Sequence, residues 1–173
     1  MKEMVIQTVG LGVPNLQPVI LLKEKWADRY LPIWIGLSEA QAIAAKLIEV
    51  QTPRPMTHDL LCSAVAALGG SITRVVLDEL RDATFYAKVY LEVRGEPVIV
   101  DSRPSDAIAI AVRTGNPIFA EDGVLDEAGV ALGDTQIDRE TLTDEQLDKL
   151  QPFADFLGTL NLDDLGADSS DDA

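Results

Sequence analysis

Cysteine and histidine each occur once, as Cys62 and His58, in a chain of 173 residues. A single thiol excludes an intramolecular disulfide, and the usual cysteine-based zinc spacings are absent. A single imidazole excludes a protein-only site built on a histidine pair. Basic residues are also scarce: 14 Lys and Arg stand against 29 Asp and Glu, for a formal net charge of −15. That balance argues against nucleic-acid binding by bulk electrostatics, which shows as a basic face. It argues equally against binding to anionic membrane surfaces. No apolar run approaches the roughly 18 residues that a membrane span needs. The start MKEMVIQTVG lacks the basic n-region followed by an apolar h-region of a signal peptide. No Walker A loop, GxGxxG, GxSxG or HExxH pattern occurs. With these classes removed, the expectation is a soluble, cytoplasmic protein that makes no use of membranes.

What is present is a core-forming composition, 47% apolar, sized for one domain. The charge is unevenly spread. Residues 1–133 carry 17 acidic and 12 basic groups, while residues 134–173 carry 12 acidic and 2 basic ones. This divides the chain into a domain over 1–133 and an acidic C-terminal extension over 134–173. The extension ends in NLDDLGADSSDDA, whose composition predicts disorder. The domain can therefore carry a local cationic site despite the global charge.

Periodicity organises the domain. Residues 4–11 and 18–25 are rich in β-branched residues around a turn-like VPNLQ, and 30–36 make a third strand. Ser38 with Gln41 has capping-box spacing for a first helix. After QTPRPM, Thr57 caps a second helix that turns Leu60, Leu61, Ala64, Val65 and Leu68 inward, ending at Gly69-Gly70. Two long strands follow at about 71–80 and 84–94. In the second, Phe85, Ala87, Val89, Leu91 and Val93 alternate with Tyr86, Lys88, Tyr90, Glu92 and Arg94, so one face is buried and one wet. PVIVD reads as a buried strand leading into a buried helix at about 104–113, with Gly115 as its stop. PIFA is a short strand and DGVLDEAG a short helix. Thr143 with Gln146 marks another capping box in the extension. The order predicts an α+β fold, one domain with a mixed, mostly antiparallel sheet and several packed helices.

Two segments carry candidate chemistry. In Arg54-Pro55-Met56-Thr57-His58-Asp59, the prolines hold the chain extended before a helix start. His58 and Asp59 fall in the first turn, where free N–H groups and the dipole favour anions. In Asp101-Ser102-Arg103-Pro104-Ser105-Asp106, a strand end opens a helix. Asp101 and Asp106 offer hard oxygen ligands to a divalent cation such as Mg²⁺. Arg103 can hold a phosphate through parallel hydrogen bonds. Both segments also have a plain reading, in which Thr57, Ser102 or Ser105 caps a helix and the acids complement its dipole. Glu39 is a further carboxylate at a helix start. Cys62 reads as a core filler, and Trp26 and Trp34 as packing residues.

The blocks LPIWIGLSEAQAIA, PRPMTHDLL, LRDATFYAKVYLE and VDSRPSDAIAIAVRTGNPIFAEDGVLDEAG resemble, in order, the bifunctional nuclease domain family. The resemblance covers roughly residues 1–130. It implies an α+β fold, a tendency to self-associate, and DNA- or RNA-cleaving activity like that of plant members. The two segments singled out above are the family's strongest motifs, which carries Arg54, His58, Asp59, Asp101, Arg103, Ser105 and Asp106 over as site residues. On this reading His58, Asp59, Asp101 and Asp106 are catalytic, and Arg54, Arg103 and Ser105 bind phosphate. Asp101 and Asp106 would hold the metal. The competing reading is a non-catalytic module binding a partner protein or small anion. A homo-oligomer, a dimer first, is expected, and on the non-catalytic reading Trp34, Tyr86 and Tyr90 form its interface. The nuclease reading further requires the two motifs to meet at one cleft, joined by an arginine–carboxylate pair.

Overall fold

A computed structural model describes residues 1–12 and 16–131. Residues 13–15 of the predicted turn VPNLQ, the 143–146 capping box and the acidic extension lie outside the described residues. The chain builds an eight-stranded sheet and four helices, the α+β architecture expected. Strands β1 (Lys2–Gly12), β2 (Gln17–Glu24) and β3 (Arg29–Trp34) form one antiparallel meander. Helices α1 (Leu37–Leu47) and α2 (Thr57–Ala67) follow. A second antiparallel meander comprises β4 (Gly70–Arg81), β5 (Thr84–Val93) and β6 (Glu96–Ser102). Helix α3 (Pro104–Thr114) then returns the chain to β7 (Ile118–Ala120), followed by α4 (Asp122–Ala128) and the short β8 (Val130–Ala131).

The sheet order is β6-β5-β4-β7-β1-β2-β3-β8. The short β7 stitches the two meanders together. It runs antiparallel to β1 and parallel to β4, the one parallel pairing among the described strands. Inward residues of both meanders, including Ile20, Leu22, Leu31, Ile33, Val75 and Leu77, share one core with Ile43 of α1 and Ile108 of α3. Helix α3 lies at the centre, packed on α1, α2, β4 and β5. Its all-round apolar run predicted this, and residues Ala107–Ala111 are buried. Pro104 presets its first turn, and Gly115, at φ +69°, ends it in the left-handed conformation.

Three local expectations are corrected. Helix α1 starts two residues earlier than read, with Gly36 rather than Ser38 at the N-cap. Helix α2 buries no residue, and Leu60, Leu61 and Leu68 are exposed; its main packing is against α3 and β4. Strand β6 is not buried either. It is the sheet's edge, and residues 96–101 are exposed. An apolar run of this length fits a central or an edge strand equally well, and only the sheet order distinguishes them.

Candidate active site at three helix starts

Helices α1, α2 and α3 each carry a carboxylate three residues past the N-cap: Glu39 after Gly36, Asp59 after Met56, and Asp106 after Arg103. An acid there complements the positive end of the helix dipole. Asp59 also takes the free Met56 N–H at 2.8 Å, the backbone half of a capping box. In the fold Arg103 and His58 tie the three helix starts together through two of these carboxylates, Glu39 and Asp106.

Arg103 donates from Nε to Asp106 Oδ2 at 2.9 Å and from Nη1 to Glu39 Oε1 at 3.0 Å, so it joins α3 to α1. A longer bond runs from its Nη2 to Asp106 Oδ1 at 3.3 Å. His58 Nε2 lies 3.0 Å from the same Oδ1 and joins α2 to α3. Burial alone would push the Asp106 carboxyl up. The hydrogen bonds from His58 and Arg103, with the Arg103 charge, outweigh it and hold the group below the ordinary carboxylate range. Asp106 is therefore ionised at neutral pH. In the neutral form of the ring, an ionised acceptor selects the tautomer with the proton on Nε2 and the lone pair on Nδ1.

The His58–Asp106 pair borders a cleft of about 640 Å³. Thr57, His58, Leu61 and Val65 of α2 form one wall; Val100, Asp101 and Ser102 of β6 form another; Arg103 and Asp106 close the polar end. Ile72, Val89, Leu91 and Ile110 make an apolar floor. The structure thus brings together His58, Asp101, Arg103 and Asp106 from the two motifs. The link between motifs is the histidine–carboxylate contact; the Arg103–Asp106 pair lies within the second motif. Arg54 stands exposed before α2 and does not line the cleft, and Ser105 is buried in the first turn of α3, also outside the lining.

Asp59 faces a different partner. Its Oδ1 accepts from Arg113 Nε at 2.6 Å, and burial of the carboxyl is outweighed by the Met56 N–H and the Arg113 guanidinium, which hold it below the usual range. Arg113 also donates to the carbonyls of Ala109, at 2.9 Å, and Ala42, at 3.2 Å. Its side chain is only 5% exposed. This buried arginine fastens α3 to both α1 and α2, and the motifs did not point to it. The available signal was an arginine closing an otherwise apolar helix, where a charge must find partners.

The donors present suit a divalent cation poorly. Both oxygens of Asp106 already accept hydrogen bonds, and a cation there would face the Arg103 charge. Among the described residues no group of three His, Cys, Asp or Glu side chains is arranged to hold a metal. Cys62 is partly buried against the core, which pushes its thiol pKa up and leaves it in the unreactive form.

Residues 20–133 match the model of the bifunctional nuclease domain. The chain belongs to the bifunctional nuclease domain family. Over 164 residues it is 44% identical to an uncharacterized protein of Mycobacterium tuberculosis, covering 94% of this chain and 98% of that one. It is 30% identical over 115 residues to bifunctional nuclease 2 of Arabidopsis thaliana, and 29% identical over 103 residues to bifunctional nuclease 1 of Oryza sativa subsp. indica. These matches cover 63% and 58% of this chain but only 35% and 31% of the plant proteins. The family match covers α2, β4, β5, β6 and α3, the elements that line the cleft. No helix among the described residues is long and apolar enough to cross a membrane.

Proposed function

We propose that the chain cleaves phosphodiester bonds of nucleic acid, with His58 moving the proton and Arg103 holding the phosphate. The observation that carries this reading is the 3.0 Å contact between His58 Nε2 and Asp106 Oδ1 beside the guanidinium of Arg103. With Nε2–H held by Asp106, Nδ1 is the general base. It takes the proton of the attacking oxygen, from water or from a ribose 2′-hydroxyl. Asp106 stabilises the imidazolium that forms. The same Nδ1–H then returns the proton to the leaving oxygen. Arg103 is 67% exposed and has N–H groups beyond those given to Asp106 and Glu39, and these meet the charge that develops on the phosphoryl oxygens. Three helix starts aimed at one region add N–H dipoles of the same sign.

This scheme needs no metal. A divalent ion at Asp101 and Asp106 is the alternative route, and it requires Arg103 to move off Asp106. The test is cleavage of labelled single-stranded DNA and RNA by wild-type protein and His58→Ala, each in chelator and in Mg²⁺. The proposal expects wild-type cleavage in chelator and its loss in His58→Ala. Cleavage only with Mg²⁺ would assign the metal route.

One observation favours a non-catalytic reading: Glu39, Arg103, Asp106 and His58 largely satisfy one another, as a brace between helix starts would. On that reading the domain binds a small anion or a partner protein at the cleft. Absence of cleavage under every metal condition, with phosphate binding retained, would select it.

A further inference from the structure

Helix α2 and strand β6 flank the cleft and leave much apolar surface uncovered. Leu61 and Leu68 of α2 are 45% and 73% exposed, and Ile99 and Val100 of β6 are 55% and 45% exposed. Both stretches are uncharged: LLCSAVAALGGSI follows Asp59, and PVIV lies between Glu96 and Asp101. Exposed apolar surface of this kind marks an interaction site.

The groove between them has two marked ends. Helix α2 begins beside Ser102 and Arg103, and Gly70, just past its end, pairs with Val93 next to the Arg94-Gly95 turn. The helix therefore runs antiparallel to β6, with Arg54 and Arg103 at one end of the groove and Arg94 at the other. Arg54 and Arg94 are exposed, and neither pairs with a carboxylate among the described residues.

The acidic extension contains one segment suited to such a groove. In PFADFLGTL, residues 152–160, Phe153, Phe156, Leu157 and Leu160 recur at the i, i+3, i+4, i+7 spacing of one helix face. Asp155 is its only charged residue. Asp144, Glu145 and Asp148, with one Lys149 among them, precede it, and Asp163 and Asp164 follow it. An apolar stripe with acids at both ends complements an apolar groove with cations at both ends. Its length also fits, since nine helical residues span about 13.5 Å and the seven residues of β6 about 23 Å. Reach is sufficient as well. The described chain stops at Ala131 in β8, seven strand spacings or about 34 Å from β6, and the residues 132–151 span up to about 66 Å. The match to the mycobacterial protein takes in 94% of this chain, so it continues past the domain and through 152–160, whereas the family model stops at 133.

We propose that residues 152–160 of this chain dock as a helix in the groove between α2 and β6 and cover His58. Amphipathic helices lie in apolar grooves in this way. Phe153 and Phe156 then meet the floor of Ile72, Val89, Leu91 and Ile110. Gly158 weakens the helix on its own, so it forms against the groove rather than before it. The flanking carboxylates reach Arg54, Arg94 and Arg103, and a carboxylate on Arg103 stands where a phosphate would. The docked segment thus keeps substrate out. That inhibitory consequence rests on the nuclease reading, while the docking itself does not.

Hydrogen exchange on the full chain, read by mass spectrometry, tests the docking without an activity assay. Amides of 153–160 should be protected in the wild type, and Leu61→Glu in the groove should abolish that protection. Conversely, Phe153→Asp with Phe156→Asp should speed exchange in α2. Those two substitutions lie outside the domain, so they keep the test decisive if Leu61→Glu fails to fold. The chain has one histidine, so imidazole modification by diethylpyrocarbonate reports His58 alone. It should be slow in the wild type and several-fold faster in the double phenylalanine variant. Unprotected 153–160 amides in the wild type would overturn the proposal, as would protection that survives Leu61→Glu. Protection that falls on dilution would place the segment on another copy and overturn docking within one chain. Equal modification of His58 in both forms would overturn its being covered.

Discussion

His58 and Asp106 are 48 residues apart in the chain and meet at 3.0 Å, ring Nε2 to carboxylate Oδ1. Each lies in the first turn of its own helix, so the contact is also a contact between two helix starts. In the neutral ring this contact puts the proton on Nε2 and the lone pair on Nδ1, which is what a general base at Nδ1 requires.

If His58 is the base and Asp106 orients it, then Asp106→Asn leaves the ring without a charged partner. Cleavage should fall by roughly 10² to 10⁴, the usual worth of positioned proton transfer, for both His58→Ala and Asp106→Asn. The double variant should lose little more than either single one. Single-turnover rates measure this, and additive losses would show that the two residues act separately.

Arg103 is itself 67% exposed, so although Glu39 and Asp106 are partly buried its contribution to stability is small, about 0–1 kcal/mol. Its role on the proposed reading is to hold phosphate. Arg103→Ala should leave the denaturation midpoint nearly unchanged and weaken oligonucleotide binding, with a shallower salt dependence. A large loss of stability with unchanged binding would make it a brace instead.

The Asp59–Arg113 pair makes the opposite forecast. Arg113 is nearly buried and donates to two helices, so Arg113→Ala should cost about 1.5–3 kcal/mol, the worth of hydrogen bonds to charged groups. Urea titration would measure it.

Acid stability follows from the same carboxylates. Asp59 and Asp106 both titrate lower in the folded protein than unfolded, where an aspartate titrates at about 3.9. The unfolded chain therefore binds more protons in the acid range. The stabilisation is complete above the unfolded value and is lost as pH falls through the folded values. Unfolding free energy should drop below about pH 4, and Asp59→Asn should make that drop shallower in a titration from pH 7 to 3.

The acidic end supplies a last forecast. Deleting residues 161–173 removes Asp163, Asp164, Asp168, Asp171 and Asp172. Affinity for single-stranded DNA should rise, most at low salt, because screening at physiological salt limits such repulsion to about 8 Å. A binding titration at two salt concentrations checks this, and lower affinity in the truncated chain would mean that the tail makes contacts.

The sequence by itself determined the elements and their class. Alternation in β5, the apolar run of α3 and its stop at Gly115 are local signals, and each became the element it predicted. It also marked both helix starts as chemically loaded, because residues such as His58, Arg103 and Asp106 near free N–H groups form a local pattern. Tertiary structure alone decided which of these residues meet. His58 and Asp106 converge, Arg54 and Ser105 stay outside the cleft, and Asp59 turns to Arg113, because contacts between separate helices depend on how α3 seats against α1 and α2. Sheet order likewise decided that PVIV is an uncovered edge. Hydrophobicity registers that a segment should be covered, but the covering partner is set by which strands and helices end up beside it.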